Sequence, residues 1–324
     1  MRAAVYQRGF NEPVVIGGAE KPAPAGDEVL VRVLAATVSA SDAGNAAETM
    51  AVSRLMAGPR RPKEPIGGVE FAGVVETVGS GVRRFRPGDR VAGSSLALGA
   101  WAEYVRVRET GTLEPMPPEM DYDGAAGLCD GGITAWLFLT GLVKLAPGCH
   151  VLINGASGSV GTVAVQVARA HGAVVTAVCG PDNIDLVRSL GADTVVDYTL
   201  QDFTGLEERF DVVFDTVAKS SFARCKRLLK PDGAYLTTSP SPGVLLGKLL
   251  PKARGGKKAL FMAAGLARPA RRNEALATLL KLAREGRLRP VVDRRYPLEQ
   301  ITEALRFVRA GHKKGNVILC PQPV

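Results

Sequence analysis

The chain has few of the residues from which protein metal sites and disulfide frameworks are built. Only three of its 324 residues are histidine, and its five cysteines include no pair with the CxxC spacing. Zinc sites draw most of their ligands from cysteine and histidine. The composition therefore argues against a metal site. The odd number of cysteines also argues against a disulfide framework and favours a reducing, cytoplasmic location.

Long apolar runs are also missing. No stretch of about 18 apolar residues exists, so no membrane span is expected. The N-terminal sequence MRAAVYQRGF lacks the apolar core of a signal peptide and is predicted to form a first strand instead. Apolar residues make up 46% of the chain and charged residues 23%, the balance of an ordinary globular protein. At 324 residues, about two domains are expected.

Acidic residues are scarce in the last third of the chain. The segment from Arg224 to Lys314 holds 22 Lys/Arg and 6 Asp/Glu, so its net charge is +16, whereas the net charge of the whole chain is +9. Basic clustering is one mark of nucleic-acid binding. Here the charges fall on periodic segments, Asn273–Glu285 and Leu298–Arg309, where a solvated helix face is expected, and no nucleic-acid motif accompanies them. No nucleic-acid partner is predicted, although a basic surface would attract an anionic cofactor.

The first 120 residues are rich in short β-branched runs broken by glycine and proline turns, which predicts a compact β-rich domain. From Asp121 onward, apolar strand-like runs alternate with helical stretches, which is typical of a doubly wound parallel sheet. Strands are predicted at His150–Asn154, at Ala234–Thr238, near Pro290–Asp293 and at Asn316–Cys320. The tail from Pro269 is predicted to fold back onto the first domain. The fold class is thus α/β, with residues 121–268 forming the sheet domain and residues 1–120 and 269–324 the other.

The segment from Val151 to Val175 carries the sharpest local signal. An apolar strand runs directly into Gly155, Gly158 and Gly161, and an apolar-striped helix follows. A dinucleotide-binding turn needs such glycines for a tight bend, for approach of the backbone to the pyrophosphate, and for close packing of helix on strand. The helix N-terminus then presents N–H groups to the phosphates. A glycine-rich turn that merely closes a loop is the alternative, and the GxxGxxG spacing departs slightly from GxGxxG.

At this point the chain resembles the medium-chain dehydrogenase/reductase superfamily, near its zinc-free quinone-oxidoreductase and enone-reductase branch. The resemblance implies a GroES-like catalytic domain, a Rossmann domain, catalysis between them, and a homodimer joined through the Rossmann sheet edge. The expected cofactor-binding residues are Gly155, Ser157, Gly158, Ser159, Val160, Gly161, Gly180, Tyr198, Thr216 and Asn316. The matching segments are DEVLVRVLAATVSASD, IGGVEFAGVVETVGSGVRRFRPGDRV, WAEYV, VLINGASGSVG, SLGADTVVDY, FDVVFDTV and GNVILCP.

The zinc-dependent members of this superfamily hold a catalytic zinc with a cysteine, a histidine, and a third cysteine or aspartate. In this chain Ser39 matches the cysteine position and Val69 the histidine position, while the third position falls on Cys129 or Asp130. The structural zinc lobe, expected between Ser95 and Arg108, has no cysteine. The resemblance therefore implies a protein without zinc, which lacks a Lewis acid to polarise an alcohol oxygen.

Without a metal, a nicotinamide cofactor supplies the reactivity. The leading hypothesis is hydride transfer to a small-molecule acceptor, a quinone or the β-carbon of an α,β-unsaturated carbonyl. Ser39, Ser41 and Asp130 are the candidate catalytic residues, and for each the alternative is a helix-capping role. Asp42 and Glu70 match structural positions of the family and receive no catalytic role, and Cys129 is a possible reactive thiol. Two further hypotheses stay open: an alcohol dehydrogenase-like enzyme with a degenerate metal site, and a non-catalytic dinucleotide-binding redox sensor.

The end of the second predicted strand of the Rossmann domain favours NADPH over NADH. NAD-specific sites usually carry a carboxylate there, which hydrogen-bonds the adenosine ribose. Here the strand ends in Cys179-Gly180-Pro181, and Asp182 is interpreted as a helix cap. Tyr198 keeps a phosphate contact of the NADPH-using relatives, and Arg188 could add charge. NADH remains possible. Segments 45–65 and 239–256 are expected to shape the substrate site, and their sequence does not indicate which substrate binds.

Overall fold

A computed structural model describes residues 1–6, 14–44, 66–239 and 256–322. The two segments expected to shape the substrate site lie largely outside these residues. The chain divides into two compact units. The first comprises Met1–Asp130, Ala267–Gly286 and Pro290–Val324, and the second comprises Gly131–Leu266 and Arg287–Arg289.

The described strands and helices are numbered in chain order. The strands are β1 Ala3–Val5, β2 Val14–Ile16, β3 Glu28–Val38, β4 Glu70–Val78, β5 Arg90–Ser94, β6 Tyr104–Arg108, β7 Thr112–Pro115, β8 His150–Asn154, β9 Val174–Cys179, β10 Thr194–Asp197, β11 Phe210–Asp215, β12 Leu229–Thr237, β13 Lys258–Phe261, β14 Val292–Pro297 and β15 Asn316–Cys320. The helices are α1 Ala40–Ala43, α2 Tyr122–Ala126, α3 Gly131–Gly141, α4 Ser159–Ala170, α5 Ile184–Ser189, α6 Phe222–Cys225, α7 Pro269–Arg284 and α8 Ile301–Arg309.

The first unit is built on a largely antiparallel seven-stranded sheet. Its order is β14-β15-β3-β4-β5-β7, with β6 paired to β3, and β1 and β2 form a separate antiparallel pair. The long strand β3 is central because it pairs with three others, including β15 from the C-terminal tail. Valines of β3 and the side chain of Trp101 are fully buried in the core. The β-rich, GroES-like class predicted for this part of the chain is confirmed.

The second unit contains a six-stranded sheet in the order β10-β9-β8-β11-β12-β13. Every pairing in it is parallel. Strands β8 and β11 are buried almost throughout, as parallel strands covered by helices on both faces must be. The chain winds outward in one direction from β8 and in the other from β11. This is the Rossmann strand order, and the predicted parallel, doubly wound sheet is confirmed.

Three boundaries differ from those predicted. Helix α2 packs on β3, β4 and β5, so the first unit extends to Asp130 rather than to residue 120. Strand β12 begins at Leu229, not Ala234, because Phe210 pairs with Leu229 before a register shift, and Asp232 adopts a left-handed φ of 64°. The strand expected near Pro290–Asp293 lies at Val292–Pro297, where pairing with β15 sets its limits.

Candidate functional site

The glycine turn lies where the strand order of the second unit reverses, between β8 and β11. Gly155 has a φ of +79°, a left-handed conformation that favours glycine. A Cβ added there would lie 2.5 Å from Val217 Cγ1 and 2.7 Å from Thr216 Oγ1. A Cβ on Gly161 would clash with the carbonyl oxygen of Gly155. The fold itself therefore demands these two glycines.

Gly158 differs from its two neighbours in the motif. Its backbone is extended, with φ −81°, and an added Cβ would meet only the Gly155 carbonyl oxygen, at 3.5 Å. The fold of the second unit leaves room for a side chain here. A glycine at this position would let a ligand approach the backbone closely, as the pyrophosphate of a dinucleotide does.

Gly158 is also the N-cap of helix α4. It supplies no side-chain cap, and the first turn, which includes Ser159, Val160 and Gly161, carries no acidic residue. The first intrahelical bond runs from the Thr162 N–H to the Gly158 carbonyl at 2.9 Å. The first turn of an α-helix has no intrahelical acceptors for its N–H groups. With the helix dipole, this geometry suits an anionic group.

Backbone and side-chain bonds hold the turn rigidly on the sheet. The N–H groups of Gly155 and Ala156 donate to the Val178 carbonyl at 3.1 and 3.0 Å. The Thr216 hydroxyl donates to the Asn154 carbonyl at 2.8 Å and lies 3.2 Å from that of Gly155. Thr216, predicted to bind the cofactor, thus supports the turn from the end of β11.

Asn183 joins the turn to the end of β9, and the sequence analysis missed it. Its Nδ2 donates to the Ser157 Oγ at 3.1 Å, so these two buried side chains fix one turn against the other. Among the described residues, only the Oδ1 of Asn183 is a buried side-chain nitrogen or oxygen with no hydrogen-bond partner. Asn183 and Ser157 are 26 residues apart, so only the weak turn preference of asparagine could have pointed to it.

The end of β9 has no carboxylate at its tip. Gly180 is buried, and a Cβ added there would lie 3.1 Å from the hydroxyl oxygen of the half-exposed Tyr198. The expected capping role of Asp182 is wrong, because the N-cap of α5 is Asn183 and Asp182 lies exposed in the preceding 3-10 turn. The strand end therefore presents Gly180 and the phenol of Tyr198, with an acidic side chain two residues beyond.

Arg188 lies near the same strand end. Burial and the nearby Asp197 raise the pKa of the Cys179 thiol to about 11, and the guanidinium of Arg188 opposes them. The contact of Arg188 with Asp185 is long, at 4.0 Å, and both side chains are largely exposed. Such a pair is screened by water and contributes little, so the positive charge of Arg188 stays available to an anion.

Ser39 and Ser41 lie at the start of α1 in the first unit. Ser39 is the N-cap: its Oγ accepts from the Asp42 N–H at 3.2 Å and donates to Asp42 Oδ2 at 2.7 Å. The Ser39 N–H donates to the same carboxylate oxygen at 2.9 Å. Ser41 is exposed on the helix. Ser39 therefore caps α1, and its hydroxyl is hydrogen-bonded directly to the buried carboxyl group of Asp42.

Asp42 is the most perturbed acid of this region. Asp42 is buried, with only 5% of its surface exposed. Burial raises its pKa to about 6, the nearby charge of Asp130 adds to the rise, and the two bonds from Ser39 oppose it. A buried carboxyl of this kind changes its protonation state close to neutral pH.

Asp130 is held by a buried arginine. Arg272, from α7, is 1% exposed and donates to Ser94 Oγ at 2.8 Å, Thr112 Oγ1 at 3.0 Å and Asp130 Oδ1 at 3.4 Å. Arg272 lies one residue before the segment Asn273–Glu285, for which a solvated face is expected, and the structure buries it within the same helix. It stands on the same stripe as Ala275, Leu276 and Leu279, a spacing that could have revealed it.

The remaining buried groups near the third ligand position do not form a metal site. Cys129 is fully buried, and its pKa is raised well above the ordinary value, first by burial and then by Glu70. It is therefore a thiol and not a reactive thiolate. The buried Glu70 accepts a hydrogen bond from the Thr37 hydroxyl. Within the part of the chain that the structure describes, no group of three or more His, Cys, Asp or Glu side chains could hold a metal ion.

Asn316, the last of the predicted cofactor-binding residues, stands apart from the other nine. It lies in the first unit, is 4% exposed, and donates from Nδ2 to the Val291 carbonyl at 3.1 Å. The other nine lie in the second unit, at the glycine turn and at the ends of β9, β10 and β11. Each unit thus brings together its own set of the predicted residues.

Known families match both parts of the chain. The alcohol dehydrogenase GroES-like domain matches residues 25–118, and the zinc-binding dehydrogenase family matches residues 190–319. The chloroplastic quinone oxidoreductase QR1 of Triphysaria versicolor is 32% identical, over 93% of this chain and 92% of that protein. The chain belongs to the medium-chain dehydrogenase/reductase superfamily. Within it, the chain falls in the quinone-oxidoreductase branch, and it is an oxidoreductase.

Other members of the superfamily agree with this placement. A mitochondrial NAD(P)H oxidoreductase of Mus musculus is 33% identical over 90% of this chain and 81% of that protein. The quinone oxidoreductase of Coxiella burnetii has the same fold, with a TM-score of 0.84 at 22% identity over 99% of each chain. None of the described helices is long and apolar enough to cross a membrane.

Proposed function

We propose that this protein is a zinc-independent, NADPH-dependent oxidoreductase that transfers hydride to a quinone or to an α,β-unsaturated carbonyl compound. The observation that carries the proposal is the glycine turn at the switch point of a Rossmann sheet, beside a strand end without a carboxylate. Ligands of such sheets bind at the carboxyl ends of the strands, where the strand order reverses.

The residues present fit a dinucleotide. Gly158 leaves open space where the fold alone would accept a side chain, and α4 begins there without a capping side chain. Ser159, Val160 and Gly161 would then bind the pyrophosphate through the first turn of the helix, with Ser157 and Gly155 shaping the loop. The bound nicotinamide would supply the hydride, which is chemistry that no amino-acid side chain performs.

The preference for NADPH rests on three features of the strand ends. Gly180 offers no carboxylate that would repel a 2′-phosphate, the Tyr198 hydroxyl lies beside it, and Arg188 adds positive charge nearby. The exposed Asp182 opposes the preference, so NADH binding at lower affinity is part of the proposal. A charge-assisted hydrogen bond contributes about 1.5–3 kcal/mol, roughly tenfold to a hundredfold in affinity.

Catalysis is assigned to side chains of the first unit. The hydroxyls of Ser39 and Ser41 would donate to the carbonyl oxygen of the acceptor as negative charge develops there. Asp130 lies 3.4 Å from the guanidinium of Arg272, so its contribution would be electrostatic. The absence of cysteine and histidine at the ligand positions Ser39 and Val69 supports a reaction without zinc.

The proposal includes a cytoplasmic homodimer that acts on small molecules and has no nucleic-acid or membrane partner. All five cysteines are free, which supports a reducing compartment. Several relatives carry chloroplastic or mitochondrial names, so the compartment is a property of this chain that needs its own measurement. The dimer rests on the family resemblance alone.

A stopped-flow screen of cofactor oxidation tests the activity. Purified protein is mixed with NADPH or NADH and with a panel of quinones, enones and simple ketones. Turnover of quinones or enones with NADPH supports the proposal. Turnover of saturated ketones that chelators abolish would favour the alcohol dehydrogenase alternative, and tight NADPH binding with no turnover would favour a redox sensor.

Fluorescence titration tests the cofactor preference. Tyr198→Phe should weaken NADPH binding about tenfold, because the phenol loses its bond to the phosphate, and should leave NADH binding nearly unchanged. Tyr104→Phe is the matched control, since Tyr104 lies in the first unit under the ammonium group of Lys21. Equal or tighter binding of NADH by the unaltered protein would overturn the preference.

A further inference from the structure

One buried polar atom beside the glycine turn has no partner. Among the described residues, the Oδ1 of Asn183 is the only buried side-chain oxygen or nitrogen without a hydrogen bond. Asn183 is 8% exposed, and its side chain donates from Nδ2 to the Ser157 Oγ at 3.1 Å. A buried acceptor that stays unpaired destabilises a folded protein, so its presence calls for an explanation.

Capping of helix α5 does not explain this asparagine. Asparagine is a common N-cap residue because its side-chain oxygen accepts from the N–H groups of the first turn. Asn183 occupies the N-cap position of α5, yet its side chain makes no capping bond. The oxygen that would perform this role is the unpaired one. The fold therefore uses only the amide nitrogen of this side chain.

Asn183 lies where two parts of the proposed dinucleotide site meet. Ser157 belongs to the glycine turn, and Asn183 follows the end of β9. The bonds from the Gly155 and Ala156 N–H groups to the Val178 carbonyl hold the turn against that strand end. In Rossmann sites the pyrophosphate lies at the turn, and the adenosine ribose lies at the end of the second strand. The amide of Asn183 stands between the places of these two groups.

The position also matches that of the carboxylate that binds the ribose in NAD-specific sites. That carboxylate stands about 20 residues beyond the glycine motif and accepts from a ribose hydroxyl. Asn183 stands at a comparable distance beyond Gly161. An amide oxygen accepts hydrogen bonds as a carboxylate oxygen does, but it carries no net charge. It can therefore accept from one ribose hydroxyl without repelling a phosphate on the neighbouring ribose carbon.

A ribose hydroxyl can reach this oxygen along the exposed edge of the residue. The oxygen itself is shielded from solvent, whereas 8% of Asn183 is exposed. The terminal torsion of asparagine is broad, so a small rotation of the amide turns Oδ1 toward that edge. The Ser157 hydroxyl accepts from Nδ2 and keeps its own proton for a phosphate oxygen. The two side chains thus offer one acceptor and one donor to adjacent parts of a dinucleotide.

We propose that the Oδ1 of Asn183 accepts a hydrogen bond from the 3′-hydroxyl of the adenosine ribose of the cofactor. NADPH and NADH share this hydroxyl, since NADPH carries its extra phosphate on the 2′-oxygen. The contact contributes to the binding of both cofactors, and the discrimination between them is left to Tyr198 and Arg188. This inference rests on the proposed function and adds a specificity-determining residue to the same site.

Titration with deoxyribose analogues tests the contact. The probes are NADH and its analogues built on 3′-deoxyadenosine or 2′-deoxyadenosine, and binding is measured by calorimetry. The unaltered protein should bind the 3′-deoxy analogue about threefold to tenfold more weakly than NADH, the usual effect of one neutral hydrogen bond. Asn183→Leu has a side chain of similar size without an acceptor, so it should bind NADH and the 3′-deoxy analogue equally. Such coupling is expected only of two groups in contact.

The 2′-deoxy analogue is the matched control for this cycle. Its affinity relative to NADH should be the same in the unaltered protein and in Asn183→Leu. If loss of the 3′-hydroxyl weakens binding by the same factor in both proteins, Asn183 does not contact that hydroxyl and the inference is wrong. Coupling to the 2′-hydroxyl in place of the 3′-hydroxyl would overturn it as well.

Asn183→Asp keeps the acceptor and adds a negative charge. It should retain the preference for NADH over the 3′-deoxy analogue. Its affinity for NADPH should fall at least about fivefold relative to that for NADH, because a carboxylate beside the ribose repels the 2′-phosphate. Equal changes for NADPH and NADH would place this side chain away from the ribose and contradict the proposal.

Thermal unfolding without cofactor separates a binding role from a structural one. Asn273 is the matched control, because its amide is paired on both sides: Oδ1 accepts from the Leu113 N–H at 2.9 Å, and Nδ2 donates to the Gly111 carbonyl at 2.8 Å. Asn273→Leu should lower the melting temperature and leave cofactor affinity unchanged. Asn183→Leu removes an unpaired acceptor, so it should lower the melting temperature less and the affinity for NADH more. The reverse pattern would show that Asn183 serves the fold alone.

The outcomes separate this inference from the proposed function. If the unaltered protein binds neither NADPH nor NADH, both fail. If it binds them but the 3′-deoxy cycle shows no coupling, only the role of Asn183 fails. The Asn183→Asp titration decides the matter if Asn183→Leu does not fold.

Discussion

At the scale of single residues, the capping role observed for Ser39 and the catalytic role proposed for it fall on the same side chain. Ser39 forms a capping box with Asp42, which explains its presence at the start of α1 without any reaction. The bonds of that box also set the orientation of the hydroxyl and the position of the carboxyl. A structural role for Ser39 and a catalytic one are therefore compatible, and only a chemical readout separates them.

The burial of Asp42 has a cost in stability that depends on pH. Its pKa in the folded protein, about 6, lies above the ordinary value of 3.8. The folded protein therefore keeps a proton that the unfolded chain loses as the pH rises. The stabilising contribution is fully present below about pH 4 and is lost as the pH rises through 6, a change of about 3 kcal/mol at about 1.4 kcal/mol per pKa unit.

We expect Asp42→Asn to gain about 3 kcal/mol in free energy of unfolding, relative to the unaltered protein, between pH 4 and pH 7, because its amide does not titrate. Urea unfolding of both proteins at the two pH values measures the difference. The exposed control Asp27→Asn should show no comparable change. A difference that stays constant with pH would mean that Asp42 titrates normally in the folded protein.

At the scale of elements, the glycine turn separates what the fold requires from what a ligand requires. Gly161→Ala should destabilise the protein by about 1–3 kcal/mol or more, because its Cβ would strike the backbone of Gly155. Gly158→Ala should fold normally, since its backbone is extended and its Cβ has room. Its affinity for NADPH should fall at least about tenfold, because the methyl group projects toward the pyrophosphate.

Thermal unfolding and fluorescence titration of the two variants give the comparison. The proposal requires stability to be lost in one and affinity in the other. If Gly158→Ala folds and binds NADPH as tightly as the unaltered protein, the turn does not approach a pyrophosphate. If both variants lose stability equally, Gly158 is required by the fold as well.

At the scale of the whole molecule, the absence of cysteine and histidine at the positions of the family's zinc ligands predicts an enzyme without zinc. Ser39 and Val69 stand where the zinc-dependent members of the superfamily have cysteine and histidine. We expect elemental analysis of the purified protein to find no stoichiometric zinc, and chelation to leave NADPH oxidation unchanged. About one tightly bound zinc per chain, with activity lost to chelators, would contradict the prediction.

The sequence by itself determined the elements whose signals are local. The alternation of strands and helices after Asp121 predicts a parallel sheet, because strand and helix periodicities can be read from neighbouring residues. The limits of β8 and β15 are as predicted, and the glycine turn lies where its spacing placed it. The start of strand β12 was harder to predict from the sequence. The pairing of Leu229 with Phe210 across the sheet extends the strand through Lys230-Pro231-Asp232, residues with little local preference for a strand.

Only the tertiary structure decided the electrostatics of the candidate sites. Arg272 and Asp130 are 142 residues apart, and Asn183 and Ser157 are 26 apart, so no local pattern joins them. The protonation of Asp42 depends on burial by the folded unit and on a charge that Arg272 holds in place. Periodicity and turn chemistry act between neighbours along the chain, whereas desolvation and charge act between neighbours in space, and packing alone determines which residues those are.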